Sequence, residues 1–176
     1  MNILITICAR GGSKGIIGKN IKIILGKPLI DYTIHRAKQL TVNHKAKIAL
    51  STDDKDIKQV AEKAGLFTQY IRPNYLSTDT AGKIETIKDL VLYEESLVNF
   101  KYDFVLDLDV TSPLRTITDI ETAFEILKLN KQALNIFSVN VAARNPYFNM
   151  VEENTSGFYS LVKKIPDNNI ITRQLA

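Results

Sequence analysis

An open, mostly parallel α/β sheet with helices on both faces is the fold class this sequence predicts, and three observations carry it. Short apolar, β-branched runs recur along the chain, segments with apolar residues at helical spacing separate them, and a glycine-rich loop comes directly after the first run. Strands that alternate with helices of roughly ten residues or more imply parallel neighbours joined by right-handed crossovers.

Asn2 to Ile7 reads as a buried first strand. A helix starts near Pro28, which a first helical turn tolerates, and Ile30, Ile34, Ala37 and Leu40 recur at its spacing. Lys47 to Ser51 is a second strand. Asp53 or Asp54 caps a helix over Ile57, Val60, Ala61 and Ala64, and Gly65 stops it. Leu66 to Ile71 reads as a third strand. From Asp79 to about Val98, residues Ile84, Ile87, Leu90, Val91 and Leu97 mark a helix, and Phe104 to Leu108 is a fourth buried strand. Thr118 or Asp119 caps a helix over Ile120, Ala123, Phe124 and Leu127, ahead of the strand-like Asn135 to Val141. Beyond Pro146 the pattern weakens, with one further strand at Gly157 to Lys164. No repeat or linker intervenes, so residues 1–176 read as a single domain.

Composition narrows the function classes. With 45% hydrophobic and 24% charged residues the chain is ordinarily globular. One cysteine, Cys8, with His35 and His44 excludes an internal disulfide and a Cys/His metal cluster, and the chain reads as intracellular, in the cytoplasm. No run approaches the roughly 18 apolar residues of a membrane helix, and Ile3 to Ile7 is too short for a signal-peptide core. The net charge of +4 is mild, and its cations gather in one loop rather than in an aromatic-interleaved stripe, which argues against nucleic acid.

That loop reads ARGGSKGIIGKN from Ala9 to Asn20. Its glycines let backbone amides turn toward an anion, while Arg10, Lys14 and Lys19 neutralise polyphosphate charge. A nucleoside triphosphate is the expected guest, because open α/β sheets bind ligands at the carboxyl ends of their strands. Gly12 and Gly18 are one residue too far apart for a P-loop, and Ser13 stands where a dinucleotide fingerprint needs glycine. A flexible basic surface loop is the plainer alternative.

With GKPLIDYTI after it, this loop resembles the opening of the acylneuraminate cytidylyltransferases, or CMP-sialic acid synthetases. STDD at Ser51 to Asp54, LSTDTA after Arg72, TSPLR at Thr111 to Arg115, and Arg173 with Gln174 match the same family in the same order. The resemblance implies a nucleotide-diphospho-sugar transferase-like (Rossmann-like) fold. It also implies transfer of CMP from CTP to a nine-carbon α-keto sugar acid, with release of pyrophosphate, a divalent cation such as Mg²⁺, and a homodimer. Catalytic roles fall on Arg10, Lys19 and Arg173. Nucleotide or substrate contacts fall on Ala9, Gly11, Gly12, Ser13, Lys14, Asn20, Arg72, Asp79, Asp109, Thr111 and Ser112.

Asp107 and Asp109 stand at i and i+2 at the end of the fourth strand, where both carboxylates project to one face and suit Mg²⁺; capping of strand-end amides is the competing role. Asp109 replaces the glutamine of the common family motif LQPTSPLR, as in subfamilies that read LDVTSPLR, and the acid the resemblance implies is N-acetylneuraminate or a relative such as legionaminate. Hydroxyls at Thr111 and Ser112 can instead cap the next helix, and Asp53 and Asp54 are expected to cap a helix of their own. Cys8 reads as a buried apolar residue rather than a nucleophile, and neither histidine takes a role. Family members continue past the RQ motif with a dimerisation insertion and a late aspartate pair that binds metal, so the chain is read as truncated at Ala176. Two alternatives to the transferase remain: a Kdo cytidylyltransferase, and a nucleotide-binding domain without catalysis.

Overall fold

The computed structural model describes residues 1–139, 144, 146 and 150–163. The chain divides into two compact units, Met1–Asn130 and Lys131–Ala176.

The first unit opens with strand β1 (Ile3–Cys8), followed by a small hairpin of β2 (Ile23–Ile24) and β3 (Lys27–Pro28) and by helix α1 (Leu29–Asn43). Strand β4 (Ala46–Ser51), helices α2 (Lys55–Lys63) and α3 (Lys83–Ser96), strand β5 (Phe104–Asp107) and helix α4 (Ile117–Leu129) complete it. β1 is central and pairs in parallel with β4 on one side and β5 on the other. Register aligns Cys8 with Ser51 and Thr6 with Asp107, so the three carboxyl ends share one edge.

The alternation of β1 places helices on both faces. Ile3, Ile5 and Ile7 pack with Ile30, Ile34 and Ala37 of α1, Ile57 and Ala61 of α2 and Ile120 of α4. Leu4 points the other way and packs with Ala49, Tyr70 and Leu90 of α3. Parallel strands covered twice read as unbroken apolar runs, as ILITIC does. Burying Leu90 completely contributes about 1.5–3 kcal/mol toward holding α3, and with it the first residue of α3, against the sheet.

Several boundaries differ from expectation for local reasons. Pro28 caps α1 from outside rather than opening it, and the helix runs past Leu40 to Asn43. Asp54 caps α2, its carboxylate accepting from the amides of Asp56 and Ile57 at 2.9 Å each. The expected third strand is absent. Leu66 and Tyr70 are buried while Phe67 and Ile71 are exposed, yet residues 66–71 form no ladder. Thr68 Oγ1 donates to the Leu50 carbonyl at 3.3 Å, so a side chain takes the place of a main-chain donor along β4. The backbone reaches β4's extension only when the Arg72 amide bonds Thr52 O at 3.2 Å.

α3 begins at Lys83 rather than Asp79, because the Thr78 to Ala81 turn closes on itself and Asp79 is drawn away by cations. Thr116, not Thr118 or Asp119, caps α4; Asp119 serves as the reciprocal partner of a capping box.

In the second unit β6 (Val151–Glu153) pairs antiparallel with β7 (Tyr159–Leu161), placing a strand within the expected Gly157 to Lys164 segment. Asn135 to Val139 carry no strand, and the remainder of that expected strand lies outside the described residues. No helix among the described residues is long and apolar enough to cross a membrane.

Candidate active site

The loop after β1 is held by side chains rather than by regular structure. Ala9 stays buried, its amide bonding Ser51 O at 2.9 Å, and Arg10 is the first residue to leave the ladder. The Gly11 amide donates to Asp53 Oδ1 at 3.1 Å, so it braces the loop instead of turning toward a ligand. Glycine is required there, since an added Cβ would stand 2.9 Å from the Cβ of Asp54. Gly18 turns the chain at a φ of 63°, and buried Asn20 closes the loop by donating to the Arg10 carbonyl at 2.9 Å. Gly12 is exposed with open space around it, while Ser13 lies at the cavity wall.

The loop's cations converge on one carboxylate. Arg10 meets Asp79 at 2.7 Å and donates to Thr78 O at 2.8 Å, and Lys14 pairs with the other oxygen of Asp79. Hydrogen bonds from Lys14, then from Arg10, hold the Asp79 carboxyl below the usual carboxylate range. Lys19 lines the same cavity and has no ion pair among the described residues.

Across from the loop, the end of β5 presents the second charged cluster. Lys83 Nζ lies 2.7 Å from both Asp107 Oδ2 and Asp109 Oδ2, so the two carboxylates do share a face, and they converge on an ammonium. Thr6 Oγ1 donates to Asp107 at 3.0 Å. The Thr111 amide and hydroxyl donate to Asp109 Oδ1 at 2.7 and 2.6 Å, and Arg115 holds the carbonyls of Asp109 and Ser112. Burial alone would raise the Asp109 pKa, but hydrogen bonds from Lys83 and Thr111 outweigh it and bring it down to about 2. Burial pulls Lys83 down, and its bonds to Asp107 and Asp109 reverse that and raise it.

These walls enclose about 600 Å³, bordered by Arg10, Lys14, Lys19 and Asn20 on the loop side and by Asp79, Asp109 and Thr111 opposite. Cys8 also borders it. Burial first, then the charge of Asp107, pushes its thiol up to about 12, so it stays protonated and is no nucleophile.

Of the expected contacts, Ala9, Gly11, Gly12, Arg72 and Ser112 do not line the cavity. Arg72 is 5% exposed, donates from Nε to Ser51 Oγ at 2.9 Å and from Nη2 to Ser51 O at 2.7 Å, and does not line the cavity. Ser112 offers its carbonyl to Arg115 and its amide to Asp109 O. Arg173 lies outside the described residues. The residue that sequence reasoning missed is Lys83: with the helix expected from Asp79, its place in the first turn, where the helix dipole opposes a cation and calls for an anionic partner, shows only in the fold.

The donor chemistry at β5 suits a hard cation, since two carboxylate oxygens already meet at one positively charged atom. Among the described residues no group of three or more His, Cys, Asp or Glu side chains could hold a metal, so the pair stands without a third protein ligand.

Asp109 makes the fold sensitive to acid. Its folded pKa lies below the unfolded value, so its contribution to stability is full above about pH 4 and is lost as pH falls through about 2. The side chain is 43% exposed, and after solvent screening the loss is on the order of 1 kcal/mol. Urea midpoints measured from pH 5 to 2 are expected to fall less steeply in Asp109→Asn than in the unaltered chain.

Comparison with known proteins accords with this arrangement. The family model described as cytidylyltransferase matches residues 4–171. Post-translational flagellin modification protein B of Campylobacter coli is 39% identical over 173 residues, covering 98% of this chain and 70% of that protein. The CMP-N,N'-diacetyllegionaminic acid synthase of Campylobacter jejuni is 37% identical over 175 residues, covering 99% of this chain and 71% of that protein. The solved structure of a CMP:2-keto-3-deoxy-manno-octonic acid synthetase complexed with CTP matches with a TM-score of 0.55 at 25% identity, covering 74% of this chain and 48% of that one. The chain thus spans about seven-tenths of those two relatives and about half of the solved structure.

Proposed function

The chain belongs to the cytidylyltransferase family and is a nucleotidyltransferase, and from that premise we propose that it transfers CMP from CTP to a nine-carbon α-keto sugar acid, legionaminate or a close relative such as N-acetylneuraminate. The observation that carries this reading is a single cavity with Arg10, Lys14 and Lys19 on one wall and the Asp107–Asp109 end of β5 near the other. The likeness to a legionaminic acid synthase over 99% of the chain favours the nine-carbon acid over the Kdo alternative. The family model runs through both compact units, which supports treating them as one cytidylyltransferase domain.

In this reading the triphosphate takes the place of the Asp79 carboxylate, because Arg10 and Lys14 already converge on one anion there. Lys19, without an ion pair of its own among the described residues, meets the charge that builds on the departing pyrophosphate. The anomeric hydroxyl attacks the α-phosphorus and gives up its proton to solvent, and the bond to the pyrophosphate oxygen breaks. The protein's part is to orient and neutralise. Asp107 and Asp109 would hold a magnesium ion, which when bound supplies further positive charge against the phosphates. A cytoplasmic site of action and a second copy of the chain as partner belong to the same reading, on the family resemblance.

Nucleotide choice tests it. Titration calorimetry with the four ribonucleoside triphosphates is expected to give CTP about tenfold or more tighter binding than ATP, GTP and UTP, since a mismatched base leaves buried polar groups unpaired. Equal affinities for all four would contradict the assignment.

A further inference from the structure

Asp79 and Lys83 sit four positions apart on one segment, the turn into α3 and its first residue. Asp79 faces Arg10 and Lys14, and Lys83 faces Asp107 and Asp109. One segment therefore sets an anion against the loop's cations and a cation against the strand-end carboxylates. Lys83 holds its place against local preference: α3 has no side-chain N-cap, and the helix dipole disfavours a cation in its first turn. Its two contacts of 2.7 Å to separate carboxylates offset that cost.

We propose that Lys83 is the resident countercation of the Asp107–Asp109 pair, and that a divalent cation occupies the pair only by displacing the Lys83 ammonium. An ion coordinated by both carboxylates would stand within a few ångström of a second positive charge, and at that separation the two repel strongly in a half-buried site. Lys83 is thus a positioning residue. It keeps the carboxylates converged and offsets one of their two charges before the ligand arrives, and it lowers their affinity for free metal. A metal–triphosphate complex brings both charges that the segment supplies, and exchanges for both. The proposal rests on the nucleotidyl-transfer reading for its purpose, but its test needs no nucleotide and no turnover.

Mn²⁺ binding to the nucleotide-free chain, measured through the electron paramagnetic resonance signal of free Mn²⁺, makes that test. Lys83→Met is expected to bind Mn²⁺ about tenfold or more tighter than the unaltered chain. Lys83→Arg, which keeps the charge, is expected to remain as weak as the unaltered chain. Adding Asp109→Asn to Lys83→Met is expected to abolish the gain. Lys83→Gln serves as a second neutral variant, and thermal melting confirms that each protein is folded. Unchanged or weaker Mn²⁺ binding in both neutral variants overturns the proposal, as does an equal gain in Lys83→Arg. A CTP preference that fails while these shifts hold would count against the transferase reading alone.

Discussion

Lys19→Ala is expected to lower kcat by about 100-fold or more while leaving the melting temperature within a degree or two, because a preorganised cation at developing phosphate charge acts in the transition state. The structure separates Lys19 from the loop's other cations. Arg10 and Lys14 share Asp79 as a standing partner, whereas Lys19 borders the cavity without an ion pair among the described residues. Its removal therefore breaks no ion pair of the resting fold, and the loop stays braced by Asn20 and Asp53. Steady-state kinetics separates the outcomes. A fall in kcat with little change in KM places the charge in the transition state, and wild-type-like turnover would remove Lys19 from the chemistry.

Arg72→Leu is expected to cost about 2–4 kcal/mol of stability, seen as a lower urea midpoint with an unchanged slope. The guanidinium is buried at the end of β4, where it satisfies both the hydroxyl and the carbonyl of Ser51. Leucine matches its apolar stem but removes the donor to the Ser51 hydroxyl and one of the two donors to the Ser51 carbonyl, which keeps the Ala9 amide, in a place that water does not reach. Arg72→Lys is not expected to restore stability, since one ammonium cannot reproduce the planar fork. The resemblance instead implies an arginine near the nucleotide. A variant with unchanged stability and weakened CTP binding would favour that role over the one the contacts give.

Much of this was legible in the sequence. ILITIC read as a buried first strand, and the spacing of Ile30, Ile34, Ala37 and Leu40 placed α1 to within a turn. The loop from Ala9 to Asn20 stood out by composition and does border the cavity. What did not carry over was decided by side chains acting on backbone. Residues 66–71 alternate like a strand, but Thr68 takes the donor's place beside β4. The glycines of the loop promised amides for an anion, and Gly11 gives its amide to Asp53. Arg72 was expected as a nucleotide or substrate contact, whereas its burial depends on Ser51, twenty-one positions away. Lys83 escaped notice because its partners lie on another strand, and spacing within one element carries no information about that.

The most direct measurement is pyrophosphate release by this chain supplied with CTP and, in turn, legionaminate, N-acetylneuraminate, Kdo and no acid. Release that requires both CTP and a nine-carbon acid, is slower with Kdo, and falls about 100-fold or more in Lys19→Ala is the expected result. Tight CTP binding with no release for any acid would contradict catalysis by this chain and leave a nucleotide-binding domain in its place.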